Sequence, residues 1–406
     1  RHIKAFGRDS PDVAYYGGSK FPIEVEHQLQ AEFAELFGAR RVEVRPISGQ
    51  QSNMVIFGAM VDYLSRARVK GEDLVRMNSV MASSLAEGGH LSQQDFGGTK
   101  GSISVDPNTG RPGTHSFVSL PHNPFRVDVP KTLDKIVEVK PQLIIFGRSV
   151  MPYPEPVAEI AEFTAQLDQP PIIMYDGSHV NGLIPDFQNP LAEGAHFLSG
   201  STHKTLPGTQ RGFIATTIGP EQRLDSLWAK VLNRMLPGAT SNHHPGTLLG
   251  LLAAHYEMEK HGDDYKTQVM ANAKSFATAL DDLGLDVFSD PELGFTQSHQ
   301  VLLRVGNGPD IEARLGENNI ITNYQAGPGD GGFADASYIR LGTQEMTRFG
   351  MVESDFQELA VLMKSAIDGQ NVGAEVSRFR GNFTVMQYCC SIDELLAMLG
   401  DNEIFI

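Results

Sequence analysis

Cysteine is nearly absent from this 406-residue chain: two occur, side by side, at Cys389 and Cys390. Adjacent residues cannot staple distant parts of a fold by ordinary disulfide geometry, so a disulfide-built secreted scaffold is excluded and a reducing, cytoplasmic home is expected. Long apolar runs are missing as well. No stretch reaches about 18 apolar residues, and residues 1–10 have no apolar signal core, so neither a membrane span nor a signal peptide is expected. The chain opens on Arg1 and not on Met, as a trimmed N-terminus would. Positive charge is scarce: 33 Lys and Arg stand against 49 Asp and Glu, a net charge of −16. That field repels phosphate backbones and anionic headgroups, so nucleic acid and membranes are not expected as partners. What is present is the composition of a globular protein, 41% hydrophobic and 20% charged with 41 glycines. The length is two or three times that of a usual domain.

Strand-like and helix-like segments alternate through the first two thirds, the order that builds an α/β fold with a mainly parallel sheet flanked by helices. The spacing predicts a helix over 24–36, a short strand at 42–44, and a turn from Ser48 to Asn53 opening a second helix through Tyr63. Buried strands are expected at 142–146, 172–175, 196–198 and 213–217, with a helix at 156–166. A Pro/Gly/Asn/His stretch at 236–244 interrupts the pattern. Helices at 247–260, 266–283 and 353–367, with strands near Val287 and at 301–305, then read as a smaller α+β domain. The expected division is an N-terminal segment 1–22, a large domain 23–240 and a C-terminal domain 241–406 with an extra tail.

Residues with chemical potential concentrate between Met174 and Gly212. Asp176-Gly177-Ser178-His179 follows one predicted strand, and Ser199-Gly200-Ser201-Thr202-His203-Lys204 follows the next. Ligands of α/β sheets bind beyond the carboxyl ends of strands, so this Asp and Lys can converge. Pyridoxal phosphate (PLP) needs such a pair: the Lys amine forms a Schiff base, and the carboxylate keeps the pyridine nitrogen protonated. Taken alone, Lys204 reads more readily as a solvated surface lysine.

The surrounding residues carry more. The run SGSTHKTLPGTQRG at 199–212 resembles the lysine motif of serine hydroxymethyltransferases, as do five further segments in that family's order. These are Tyr15-Tyr16-Gly17-Gly18, the phosphate turn Pro46-Ile47-Ser48-Gly49-Gln50-Gln51-Ser52-Asn53, Gly88-Gly89-His90-Leu91, DGSHVNGL at 176–183, and Ile339-Arg340-Leu341-Gly342-Thr343. The resemblance implies PLP fold type I and a homodimer with shared active sites. It implies Lys204 as the Schiff-base lysine, Asp176 at the pyridine nitrogen and His90 stacked on the ring. It places His179 near the phenolic oxygen or the Schiff-base side, Ser149 near the ring, and Ser48, Gly49 and Gln50 at the phosphate, with His203 in reach of it. Arg340 is expected to clamp an α-carboxylate, and Tyr15, Tyr16 and Arg8 to lie on the substrate side, the two tyrosines reaching the partner's cofactor.

Three segments depart from the family. Phe6-Gly7-Arg8 stands where the family has Tyr-x-Glu, so an acid is replaced by Arg8. Ser92-Gln93-Gln94 replaces Thr-His-Gly. The stretch LPGATSNHHPGT at 236–247 replaces a glycine-rich loop, leaving Ser241, Asn242 or His243 to reach a phosphate. Because these losses fall on the folate and hydroxymethyl side, the expected activity is lyase-type chemistry on a modified α-amino acid. C–S β-elimination or decarboxylating deamination of an S-conjugated cysteine, as in lincosamide-type antibiotic pathways, is the form considered. The alternative is serine hydroxymethyl transfer, threonine aldolase or transaldolase activity.

Overall fold

A computed structural model describes residues 19–327 and 329–401. Among the described residues there are thirteen strands: β1 (Arg41–Glu43), β2 (Val80–Ala82), β3 (Thr114–Ser116), β4 (Ser119–Leu120), β5 (Asn123–Val127), β6 (Leu143–Phe146), β7 (Ile172–Asp176), β8 (Phe197–His203), β9 (Pro207–Thr216), β10 (Asp286–Val287), β11 (Gln300–Arg304), β12 (Asn323–Gln325) and β13 (Tyr338–Gly342). Seven form one sheet in the order β1-β9-β8-β7-β6-β2-β3. The strands from β8 to β3 run parallel, while β9 is antiparallel to both β8 and β1. A second, antiparallel sheet runs β10-β11-β13-β12. This is the mixed α/β fold with a large, mainly parallel sheet that the sequence predicted.

The central strands are buried throughout because helices cover both faces. Ile144, Phe146, Ile173 and Tyr175 enter one apolar cluster. Leu143, Ile145, Ile172 and Met174, one residue out of phase, enter the other. The first face is covered by α1 (Lys20–Leu36), whose Val25, Leu29 and Phe33 recur at helical spacing. The second receives α2 (Gly49–Leu64), which contributes Val55, Ile56 and Phe57. It is completed by a helix at Asp225–Asn233 bearing Trp228 and Val231.

A helix spanning Gly246–Asp282, here α3, corrects the two helices expected at 247–260 and 266–283. The polar run His261-Gly262-Asp263-Asp264 resembles a break, but it is held inside the helix. Lys266 Nζ lies 3.0 Å from Asp263 Oδ1 and 3.4 Å from Asp186 Oδ1 in the large-sheet unit. From the neighbouring position, the Tyr265 hydroxyl donates to the carbonyl of Thr205 at 3.0 Å. Leu248, Leu251, Leu252, Tyr256 and Val269 of α3 join the core under the large sheet. Further along, its Ala273, Phe276, Ala277 and Leu280 join the core of the small sheet with a helix at Glu353–Ile367. Beyond that, a helix at Ile392–Asp401 returns to α3, with Lys260 paired to Glu394 and Leu399 buried in the first core. Among the described residues, no helix is long and apolar enough to cross a membrane.

Candidate functional site

Parallelism of β8, β7, β6 and β2 delivers four carboxyl ends to one edge of the large sheet, where α/β folds take their ligands. Asp176 ends β7. Lys204 follows β8, in a tight turn into β9. Ser149 lies three residues beyond β6, and His90 lies in the segment after β2.

Asp176 is only 4% exposed, and both its oxygens accept hydrogen bonds. Oδ2 takes one from Asn53 Nδ2 at 2.7 Å, and Oδ1 takes one from the main-chain N–H of Ser178 at 3.1 Å. Asn53 is fully buried on α2; its Oδ1 accepts from Ser199 Oγ at 2.6 Å, and its Nδ2 also donates to Ser92 Oγ at 2.8 Å. With that oxygen accepting from an amide, the hydroxyl proton of Ser92 is free for His90 Nδ1, 2.7 Å away. The same nitrogen accepts the Ser92 main-chain N–H at 3.1 Å. Neutral His90 therefore carries its proton on Nε2. Burial lowers its pKa, Asp176 opposes that, and Lys204 and Arg340 lower it further.

The N-terminus of α2 points at the same region. Ser48 caps it, accepting from Gln51 N at 3.1 Å, which leaves main-chain N–H groups of the first turn unpaired within the helix. Gly49 is required by close approach. A Cβ there would lie 2.8 Å from both Ser178 Oγ and the main-chain nitrogen of Ser201. Ser201 Oγ in turn accepts from Lys204 Nζ at 2.8 Å. Burial lowers the pKa of Lys204, Asp176 opposes that, and Arg340 lowers it further.

Arg340 comes from β13 of the small sheet and donates to the carbonyl of Ser149 at 3.1 Å. Burial lowers its pKa, and no carboxylate pairs with it among the described residues. His179 is held well below its usual pKa by burial, then by Lys204, Arg340, His299 and His90. His299 is fully buried and pushed down to about 3, with Nδ1 lacking a hydrogen-bond partner.

Lys204, Asp176, His90, His179, Ser149 and Arg340 are thus brought together, with Ser48, Gly49 and Gln50 at the adjoining helix end. His203 sits on the exposed side of the lysine turn. Arg8, Tyr15 and Tyr16 lie outside the described residues. His243 does not take the place expected of it. It is 1% exposed, its Nε2 lies 3.2 Å from Glu26 Oε2, and its carbonyl accepts from Arg211 Nη1 at 2.7 Å. The buried Glu26 carboxylate draws it inward and leaves Ser241 and Asn242 exposed. Residues that the sequence reading gave no role are Asn53, Ser178, Ser201, His299 and Gln300. Asn53 closed a motif already singled out, and Ser92 had been noted only as a departure.

A family model described as serine hydroxymethyltransferase matches residues 5–363. The chain is 35% identical over 384 residues to a serine hydroxymethyltransferase of Pyrobaculum calidifontis, covering 92% of this chain and 82% of that one. It is 37% identical over 401 residues to a serine hydroxymethyltransferase of Methanocaldococcus jannaschii, covering 95% and 85%. Among solved structures, an L-threonine transaldolase from Pseudomonas fluorescens in its internal aldimine state aligns with a TM-score of 0.79 at 26% identity, covering 98% of this chain and 86% of that one.

Proposed function

Because the chain belongs to the serine hydroxymethyltransferase family, a family of PLP-dependent enzymes, we propose that it makes or breaks the Cα–Cβ bond of a β-hydroxy-α-amino acid. The observation that carries this reading is the half-buried Arg340, a guanidinium that no carboxylate pairs with among the described residues, beside Lys204, His90 and His179. A two-pronged guanidinium is suited to an α-carboxylate, and a desolvated one gains most from receiving it. The choice of bond rests on the relatives. They are named for serine hydroxymethyl transfer and threonine transaldol exchange, and both reactions remake a bond between Cα and a hydroxyl-bearing Cβ. Nothing in those relatives supports the C–S elimination or antibiotic-pathway reading.

The residues fit PLP. The N-terminus of α2 offers unpaired N–H groups and the positive end of a helix dipole to a phosphate, in a cradle that a Cβ at Gly49 would fill. Asp176 keeps lone pairs for a ring nitrogen while Asn53 and Ser178 fix its orientation. When bound, the cofactor supplies an electron sink for the pair left on Cα. Lys204 supplies the amine that would attach it, and Ser201 steadies that amine. His90, held by Ser92, covers one face of the ring, and Arg340 orients the substrate by its carboxylate.

Incubating purified protein with L-serine, L-threonine and aryl-serines, with and without tetrahydrofolate or an acceptor aldehyde, tests the reading by the glycine, aldehyde or exchanged product formed. Cleavage of S-substituted cysteines with no Cα–Cβ turnover would overturn it. With Arg8 in place of the family's acid, serine turnover with tetrahydrofolate is expected to be at least about 10³-fold below that of a relative retaining the acid. The active form is proposed to be a homodimer with Tyr15 and Tyr16 reaching the partner's site. Mixing inactive Lys204→Ala and Tyr16→Ala subunits is then expected to restore partial activity, and full activity from a monomer would contradict it.

A further inference from the structure

Gln300 opens β11 of the small sheet, yet its side-chain partners belong to the large-sheet edge. Its Oε1 accepts the main-chain N–H of Met151 at 2.7 Å, and its Nε2 donates to the carbonyl of Ser149 at 3.0 Å. One main-chain donor and one main-chain acceptor fix which end of the amide is oxygen and which is nitrogen. The same Nε2 lies 3.4 Å from Nδ1 of His179. An amide nitrogen can only donate, so the Nδ1 facing it has to be the unprotonated nitrogen of the ring. The proton of neutral His179 is then on Nε2, which has no protein partner among the described residues. The Ser149 carbonyl that Gln300 holds is also the acceptor for Arg340.

We propose that Gln300 is the positioning residue of this site, fixing His179 as the Nε2–H tautomer and holding the Ser149 carbonyl beneath Arg340. It thereby couples the residue proposed to bind the substrate carboxylate to a histidine proposed to lie beside the cofactor. The inference rests on the proposed function for its consequences but not for its geometry. A carbonyl or carboxylate in place of the amide nitrogen would demand a proton on Nδ1 and reverse the ring's polarity.

The test is nitrogen NMR of holoenzyme carrying ring-labelled histidine, with the His179 signal identified by its loss in His179→Asn. Wild type is expected to show an unprotonated Nδ1. Gln300→Glu keeps an acceptor for Met151 but replaces the donor, and is expected to shift the His179 proton to Nδ1. Gln300→Leu is expected to show both tautomers. In both variants the bound cofactor's absorbance band is expected to move and kcat to fall roughly tenfold, as for loss of a group that sets a ring's tautomer, with KM nearly unchanged. An unprotonated Nδ1 retained in all three proteins, or an unmoved absorbance band, would overturn the inference. Cofactor attached elsewhere than Lys204, with the tautomers changing as stated, would instead sink the proposed function and leave the role of Gln300 in ordering His179 standing.

Discussion

At the residue scale, Asn53 joins three parts of the site, touching Asp176, Ser92 and Ser199 at once. Asn53→Asp would replace the donor to Asp176 with a second carboxylate and set like charges side by side. PLP affinity is expected to fall roughly 10- to 100-fold, the scale of one to two pKa units of repulsion, measurable by absorbance titration of the cofactor-free protein. His299 gives a pH signature. Its folded-state pKa of about 3 lies below the unfolded value, so the unfolded chain binds the extra proton between those two values. Its contribution to stability is complete above about pH 6.5 and is lost as pH falls toward 3, with a slope of up to about 1.4 kcal/mol per pH unit. Urea unfolding from pH 7 to pH 4 is expected to show this slope added to those of His179 and His90, which burial also lowers, and His299→Asn to make it shallower. Asp176 and Lys204 were legible in the sequence because each sits in a run of functional residue types at a strand end. His299 and Gln300 were not, because they open an apolar strand of the other sheet, and only the packing of the two sheets carries them to the site.

At the scale of elements, two helix-opening glycines make opposite predictions. Gly49 begins α2 against Ser178 Oγ and the main chain of Ser201, and Gly246 begins α3 with nothing within 4 Å of a Cβ. Gly49→Ala is expected to widen the gap between α2 and the lysine turn and weaken PLP binding at least roughly tenfold by equilibrium dialysis, since a main-chain nitrogen cannot move aside cheaply. Gly246→Ala is expected to leave binding unchanged and raise stability by about 0.5 kcal/mol in thermal unfolding, from lost freedom of the unfolded chain. The longer strands of the large sheet were readable because burial on both faces leaves continuous apolar runs. The strands β2 and β3 were not, having three residues each, no room for a period and, unlike β1, no turn motif directly after them to mark their end. The continuity of α3 was hidden for another reason. The residues just after the apparent break, Tyr265 and Lys266, anchor the helix to Thr205 and Asp186, a tertiary demand that overrides local propensity.

At the scale of the whole molecule, α3 is shared property: one rod of 37 residues, ~55 Å long, feeds both apolar cores. Trp228, the sole tryptophan, reports on the apolar cluster on the other face of the large sheet, the one α2 covers. Its fluorescence and the far-ultraviolet circular dichroism are expected to follow one urea transition in the wild type. Gly262→Pro, at the buried midpoint of the rod, is expected to cost about 3 kcal/mol or more and to separate the two signals. A division of the chain at 240/241 then has a consequence for anyone cutting it. A fragment 1–240 would lack the helix that covers α1 and props Thr205, and a fragment 241–406 would display Leu248, Leu251, Leu252 and Tyr256 to solvent as a bare stripe. Expressed alone, each half is expected to aggregate. Expressed together, the stripe is its own complementary tag, so the two pieces are expected to find each other and reassemble as a split protein whose rejoined halves alone hold Lys204 and Arg340 within one site.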